Sequence, residues 1–341
     1  MQSSSAQGPG QSKRIYVAWK SDCFRGRQSA HVLGCELVLI HPFRSRGSLA
    51  TLWRYAVSSL QTIGCLAQRR PRVLAVVNQP LPLVLIAMAY AKLFGAALVL
   101  DGHSKVYDHS APGWQKSVYR AITRQAALTL NHNEDDAQVV TAWGGKSILF
   151  ETLCYVLPVA KVTAATAEKP FILCVCSFAS DEPVDVILEA ARQAPEVHIK
   201  VTGDYRKAKL TPETVPPNVE LLGFVSVQDY YDQFAAAAAI LTLSTRNWIM
   251  QMAVGEALLL TVPVVTNRSP VLERVLGEGG VFVEIDGAEV AAGLREVLAR
   301  NAEYRAKMEQ ARDQQRARVE SRLAQTGLVD AVPRLEPAPA E

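Results

Sequence analysis

A chain of 341 residues is long for one hydrophobic core and suits two domains of about 150 residues each. Its 49% hydrophobic and 7% aromatic residues exclude a disordered or collagen-like chain. The net charge of +3 conceals an asymmetry: residues 1–100 carry twelve Lys/Arg against two acids, Asp22 and Glu36, and the remainder carries 24 against 31.

Arg14–Trp19 (RIYVAW) reads as a short apolar strand, followed by a polar loop with Lys20, Asp22, Arg25 and Arg27. The first dozen residues, MQSSSAQGPGQS, are polar and lack the apolar core of a secretory signal, so a cytoplasmic location is expected. A helix is indicated at Gln28–Gly34 and a strand at Glu36–Ile40. Ser48–Arg69 has helical spacing, with Leu49, Leu52, Trp53, Ala56, Leu60, Ile63 and Leu66 on one stripe. Arginines 44, 46, 54, 69, 70 and 72 cluster at or beyond its ends. Such a stripe either packs on a sheet or lies on an anionic membrane.

Val73–Val77 is a continuous apolar run, as in a buried parallel strand. The apolar stretch Leu81–Leu100 is interrupted by Lys92 and Gly95, so it divides into a buried helix (Leu83–Phe94) and a buried strand (Ala97–Leu100) in preference to a membrane span. Pro112–Gln125 is helical, Ala127–Asn131 a strand, NEDDAQVVTAW an acidic-capped helix, and Ser147–Phe150 a last strand. After an Ala/Thr-rich linker the alternation resumes. Strands are expected at Phe171–Cys176, Val197–Thr202, Val219–Leu222, Ala239–Leu243, Val262–Thr266 and Val281–Glu284. Helices are expected at Glu182–Gln193, Asp229–Ala238, around Glu256, at Ala288–Arg300 and at Glu303–Leu323.

Strict alternation of this kind implies parallel sheets covered on both faces, with ligands beyond the carboxyl ends of the strands. The class is α/β, with two Rossmann-like domains whose sheets face a central cleft. We divide the chain into a flexible tail (1–12), a first domain (13–156), a linker (157–169), a second domain with the C-terminal helix (170–325) and a tail (326–341).

No G-x-G-x-x-G follows a strand, and no phosphate-loop, H-E-x-x-H or G-x-S-x-G motif is present. Six scattered cysteines without a C-x-x-C read as buried thiols, and no metal site is indicated. The chemistry then falls to the loops at strand ends. In the second half these hold Ser177 and Phe178, Gly203, Asp204, Arg206 and Lys207, Phe224 and Val225, and Arg246 through Gln251, Met252 and Ala253. Glu256 is the only charged residue between Arg246 and Arg268, and an acceptor-only carboxylate suits a sugar diol. In the first half Asp101 and His103 leave a buried strand together, with Asp101 placed either as a base of raised basicity or as the cap of a turn. Lys20, Asp22 and Arg25 stand in the loop that would receive an acceptor.

The stretches CSFASDEPVDVILEAARQ, VHIKVTGD, VELLGFVSVQDYYDQFAAAAAILTLS and GEALLLTVPVVTNRSPVLERV resemble, in order and spacing, the nucleotide-sugar domain of group 1, family-4-like GT-B glycosyltransferases. The first half resembles their acceptor domain through LVLDGHS, Ala127–Asn131 and the Trp143-Gly144-Gly145 turn. The resemblance implies that Glu256 is the second Glu of an E-x7-E motif and holds the nucleotide ribose, and that His103 contacts the donor sugar. Position 248, where the first Glu belongs, is Trp248, and Ile249 and Gln251 stand where glycines usually follow. Cations suited to the leaving diphosphate are Arg246, Arg206 and Lys207.

We therefore expect a metal-independent transferase without a cofactor, using a UDP- or GDP-type nucleotide-diphosphate sugar as co-substrate. Residues 37–100 contain no acid, and such a field attracts anionic partners. This points to an anionic lipid-linked or glycan acceptor, polysaccharide or glycoconjugate assembly, and peripheral association with the cytoplasmic membrane face. No aromatic stacking pattern supports nucleic-acid binding. The alternatives are a degenerate nucleotide-binding partner subunit and an epimerase of the same fold.

Overall fold

A computed structural model describes residues 14–44, 47–103, 106–107, 112–150, 154–163, 169–246 and 249–327. The described chain forms two compact units, residues 14–150 with 319–327, and residues 154–318. The last turns of the C-terminal helix thus group with the first unit.

The first unit contains six parallel strands, β1 (Arg14–Ala18), β2 (Glu36–Leu39), β3 (Val73–Val77), β4 (Ala97–Asp101), β5 (Leu128–Asn131) and β6 (Ser147–Leu149). Their order is β2-β1-β3-β4-β5-β6, with the switch point between β1 and β3. The helices are α1 (Phe24–Val32), α2 (Ser48–Arg69), α3 (Leu81–Phe94), α4 (Gly113–Thr123) and α5 (Glu134–Ala142). The Leu81–Leu100 stretch does divide into a helix and a strand, and no helix among the described residues is long and apolar enough to cross a membrane. Helix α1 starts earlier than the expected Gln28, because Cys23 caps it, its sulfur accepting from the Gly26 amide at 3.3 Å.

The second unit holds β7 (Phe171–Val175), β8 (His198–Thr202), β9 (Val219–Gly223), β10 (Ala239–Thr242), β11 (Val264–Asn267) and β12 (Gly280–Val283). All are parallel, in the order β12-β11-β10-β7-β8-β9, so its switch point lies between β7 and β10. Around them run α6 (Val184–Gln193), α7 (Val227–Ala236), α8 (Met252–Leu260), α9 (Pro270–Leu276), α10 (Gly287–Ala299) and α11 (Asn301–Ala324). The short α9 is absent from the sequence expectation. Ser269 caps it, accepting from the Leu272 amide at 3.3 Å, and Pro270 opens it, which together start a helix too short for a periodic pattern. Cys174 and Cys176, two residues apart, lie in the core with Ile199, Leu241 and Val265.

Candidate functional site

Loops that leave the second sheet at its switch point are tied by a small set of carboxylates. Glu182 Oε2 accepts from the Ser177 amide at 2.9 Å, the Ser177 hydroxyl at 3.0 Å and the Ala179 amide at 2.8 Å. This gathers the segment after β7 into a tight turn in which Phe178 takes φ +57°. Gly203, at the end of β8, lies under that turn with φ +98°, and a Cβ there would stand 1.9 Å from the Cys176 carbonyl oxygen. Only glycine fits. Lys207 Nζ donates to the Ser177 carbonyl at 3.0 Å, and Arg206 Nε to Asp204 Oδ1 at 2.7 Å. The structure therefore brings Ser177, Phe178, Gly203 and Lys207 together, while exposed Arg206 turns back onto Asp204.

Asp181 links this turn to the segment after β10. Its Oδ2 accepts from the Ser244 hydroxyl at 2.9 Å, and its carbonyl from the Thr245 amide at 2.8 Å. Arg246 Nε stands 3.6 Å from the same carboxylate and remains half-exposed. The Ser244 amide donates in turn to Asn267 Oδ1 at 2.9 Å. The acidic SFASDEP run thus holds the loops in shape. Phe224 is exposed after β9 and Val225 half-buried. Trp248 lies outside the described residues.

Helix α8 starts at Met252 with no side-chain cap and no acid in its first turn. Gln251, at its cap position, keeps both amide atoms buried and without a hydrogen-bond partner among the described residues. One turn in, Glu256 is buried, its Oε2 accepting from Tyr230 Oη and its Oε1 from Tyr231 Oη, each at 2.7 Å. Burial pushes its carboxyl up, and the hydrogen bonds from Tyr231 and Tyr230 oppose that shift. Burial and the neighbouring Glu256 push the Tyr230 phenol far above its ordinary value. An ionised carboxylate offers about four acceptor positions, so two remain beyond the tyrosines. Sequence reasoning missed both tyrosines; the signal was a Tyr-Tyr pair one turn into the helix after β9.

In the first unit Asp101, at the end of β4, is completely buried. Its Oδ2 accepts from Tyr16 Oη at 2.7 Å and Ser29 Oγ at 2.8 Å; its Oδ1 accepts from Arg25 Nε at 2.9 Å and meets His132 Nε2 at 2.9 Å. Burial alone would raise this carboxyl, but the Arg25 guanidinium and the His132 and Tyr16 bonds outweigh it and hold it far below the usual range. This corrects the expectation of a base with raised basicity: a carboxylate so held is a poor proton acceptor. Asp101 is a hub that fastens β1, α1, β4 and the residue after β5. Arg25 belongs to that hub, also donating to the Gly102 carbonyl, and is not a free acceptor-loop cation. Lys20 is exposed, and Asp22 pairs with Arg27 at 3.0 Å. His103 is half-buried, with its amide donating to Asn78 Oδ1 at 2.9 Å. Gly102 between them is hemmed in, since a Cβ would meet Asn131 Oδ1 at 2.5 Å. His132, which sequence reasoning passed over, directly follows the last residue of β5.

Residues 169–300 match the family described as glycosyl transferases group 1. The match falls within the second unit, which is similar over that span to a group 1 glycosyl transferase domain. A comparison with curated protein sequences gives no match. Among solved structures, a sucrose-phosphate synthase from Thermosynechococcus elongatus is similar at 14% identity and TM-score 0.62, over 92% of this chain and 97% of that one. A glycosyltransferase from Rickettsia africae is similar at 12% identity and TM-score 0.63, over 89% and 94%. HepE of Anabaena, solved in complex with UDP, is similar at 13% identity and TM-score 0.60, over 92% and 99%. The two-sheet architecture is that of the GT-B fold, and at such identities the structural likeness speaks for the fold alone.

Proposed function

We infer that this GT-B chain transfers a sugar from a nucleotide-diphosphate donor, of UDP or GDP type, to an acceptor held by the first unit. The observation that carries the reading is the surroundings of Glu256. It is the sole carboxylate of residues 247–267, buried one turn into a helix whose start has no cap and no acid. A helix start favours a diphosphate, and an acceptor-only carboxylate favours a ribose diol. Arg246 and Lys207 are the cations suited to the leaving diphosphate, whose charge grows as the glycosidic bond breaks. The complex of HepE with UDP is consistent with a uridine nucleotide on this fold.

Acceptor binding is assigned to the first unit on charge: it favours an anionic glycan or a lipid-linked acceptor, and with it a place in polysaccharide or glycoconjugate assembly. With Asp101 locked in its hub, His103 is the titratable side chain we propose for receiving the acceptor proton. No step in this reading needs a metal. The epimerase alternative requires several acid/base groups around the donor sugar, and residues 247–267 supply only Glu256.

The experiment is sugar transfer from labelled UDP- and GDP-sugars to a lipid-linked glycan extract, compared between wild type and Glu256→Ala. Transfer lost in the variant supports the reading. The second reading, a nucleotide-binding partner subunit, is favoured by Ile249 and Gln251 in place of the usual glycines. Nucleotide binding without transfer or donor hydrolysis selects it.

A further inference from the structure

Helix α2 is turned inside out. Its buried residues are Ser58, Thr62 and Leu66, and Thr62 Oγ1 accepts from Trp19 Nε1 at 2.8 Å while donating to the Ser58 carbonyl at 2.7 Å. Of the apolar stripe expected from the sequence, only Leu66 is buried. Leu49, Leu52, Trp53, Leu60 and Ile63 are 83, 64, 65, 70 and 51% exposed. At about 100° per residue these positions fall within one face roughly 100° wide, and at about 1.5 Å per residue the row is about 21 Å long. A helix packed on a soluble core points such a face inward. A continuous exposed apolar row instead marks an interaction surface.

Charge chooses the occupant. Residues 37–100 contain no acid, and Arg44, Arg70, Arg72 and Lys92 are exposed. Pairing this face with a second copy would bring two basic surfaces together. An anionic bilayer matches both properties, taking leucine and tryptophan among its upper acyl chains and arginine and lysine at its phosphates. We propose that α2 is an interfacial docking helix, with its Leu49–Ile63 face seated in the surface of an anionic membrane. The inference concerns the first unit alone and does not depend on the sugar-transfer reading.

The test is flotation of the full chain with phosphatidylcholine vesicles, with and without phosphatidylglycerol, at low and raised salt. Recovery with anionic vesicles only, weakened by salt, is expected. The double variant Leu52→Glu with Leu60→Glu should lose that recovery while its circular dichroism and melting stay unchanged, because both side chains face solvent. Arg70→Glu with Arg72→Glu should reduce it without touching the apolar face. Equal recovery on neutral vesicles, no recovery on either, or flotation of the leucine variant at the wild-type level overturns the proposal. So does a concentration-dependent dimer that the leucine variant dissociates without any vesicle binding. Nucleotide binding, measured separately, is expected to be the same in all these variants.

Discussion

Tyr230 and Glu256 are joined by a 2.7 Å hydrogen bond between the phenol hydroxyl and Oε2, and the adjacent Tyr231 donates to the other oxygen. Two residues of α7 thereby fix the rotamer of the carboxylate on α8. Removing the carboxylate takes one hydrogen bond from each phenol. Glu256→Ala should therefore cost about 2–4 kcal/mol, at roughly 1–2 kcal/mol for each buried hydrogen bond lost. Tyr231→Phe should cost about half as much. Urea unfolding measures both.

The pH dependence at this site has a definite sign. Burial raises the Glu256 carboxyl in the folded state, so its stabilising contribution is complete below the unfolded value, about 4.3, and is lost as pH rises through the folded one. Relative to Glu256→Gln, which does not titrate, the wild type should gain in melting temperature as pH falls from neutrality toward 5. Melting both proteins across that window checks it, and a parallel pair of curves would contradict it.

Asp101 behaves in the opposite way. Its folded value is depressed, so its contribution is present above the unfolded value of about 3.9 and is lost as pH falls through the folded one. Asp101→Asn strips Arg25 of its buried counter-charge, and Arg25 is 25% exposed, so the cost should be about 3 kcal/mol, at the low end for a broken buried pair. The deficit should hold constant above pH ~5 and shrink at lower pH, which acid titration of stability at fixed urea would reveal.

Gly203→Ala must move the Cys176 carbonyl or abandon its φ of +98°. Strain of this kind costs about 1–3 kcal/mol before any clash is counted. Because the turn after β7 rests on Gly203, nucleotide affinity should fall together with stability. Calorimetric binding at a temperature where the variant is fully folded separates the two effects.

Much of the fold was legible in the sequence, because buried parallel strands such as Val73–Val77 are short apolar runs and their helices alternate with them. Helix α9 was not, since seven residues cannot display a helical period and its start depends on Ser269 and Pro270. The α2 stripe was legible as a pattern, but periodicity does not say which way a face turns. The Trp19–Thr62 bond and the burial of Ser58 show that the Ser58/Thr62 side turns inward. At the candidate sites the strand-end loops were found by their position. Their partners were not, because Glu182, Tyr231, Tyr16 and His132 act across distances in the chain that no local pattern records. Asp101 was misjudged for that reason: its basicity is set by Arg25, 76 residues away, as much as by its own strand.

The most direct test of the account is calorimetric titration of the full chain with UDP- and GDP-sugars, for wild type and Glu256→Gln. We predict saturable binding of one nucleotide class, weakened about tenfold or more in the variant, which corresponds to about 1.4 kcal/mol. Absence of binding by every nucleotide sugar, or equal affinity in the two proteins, would contradict it.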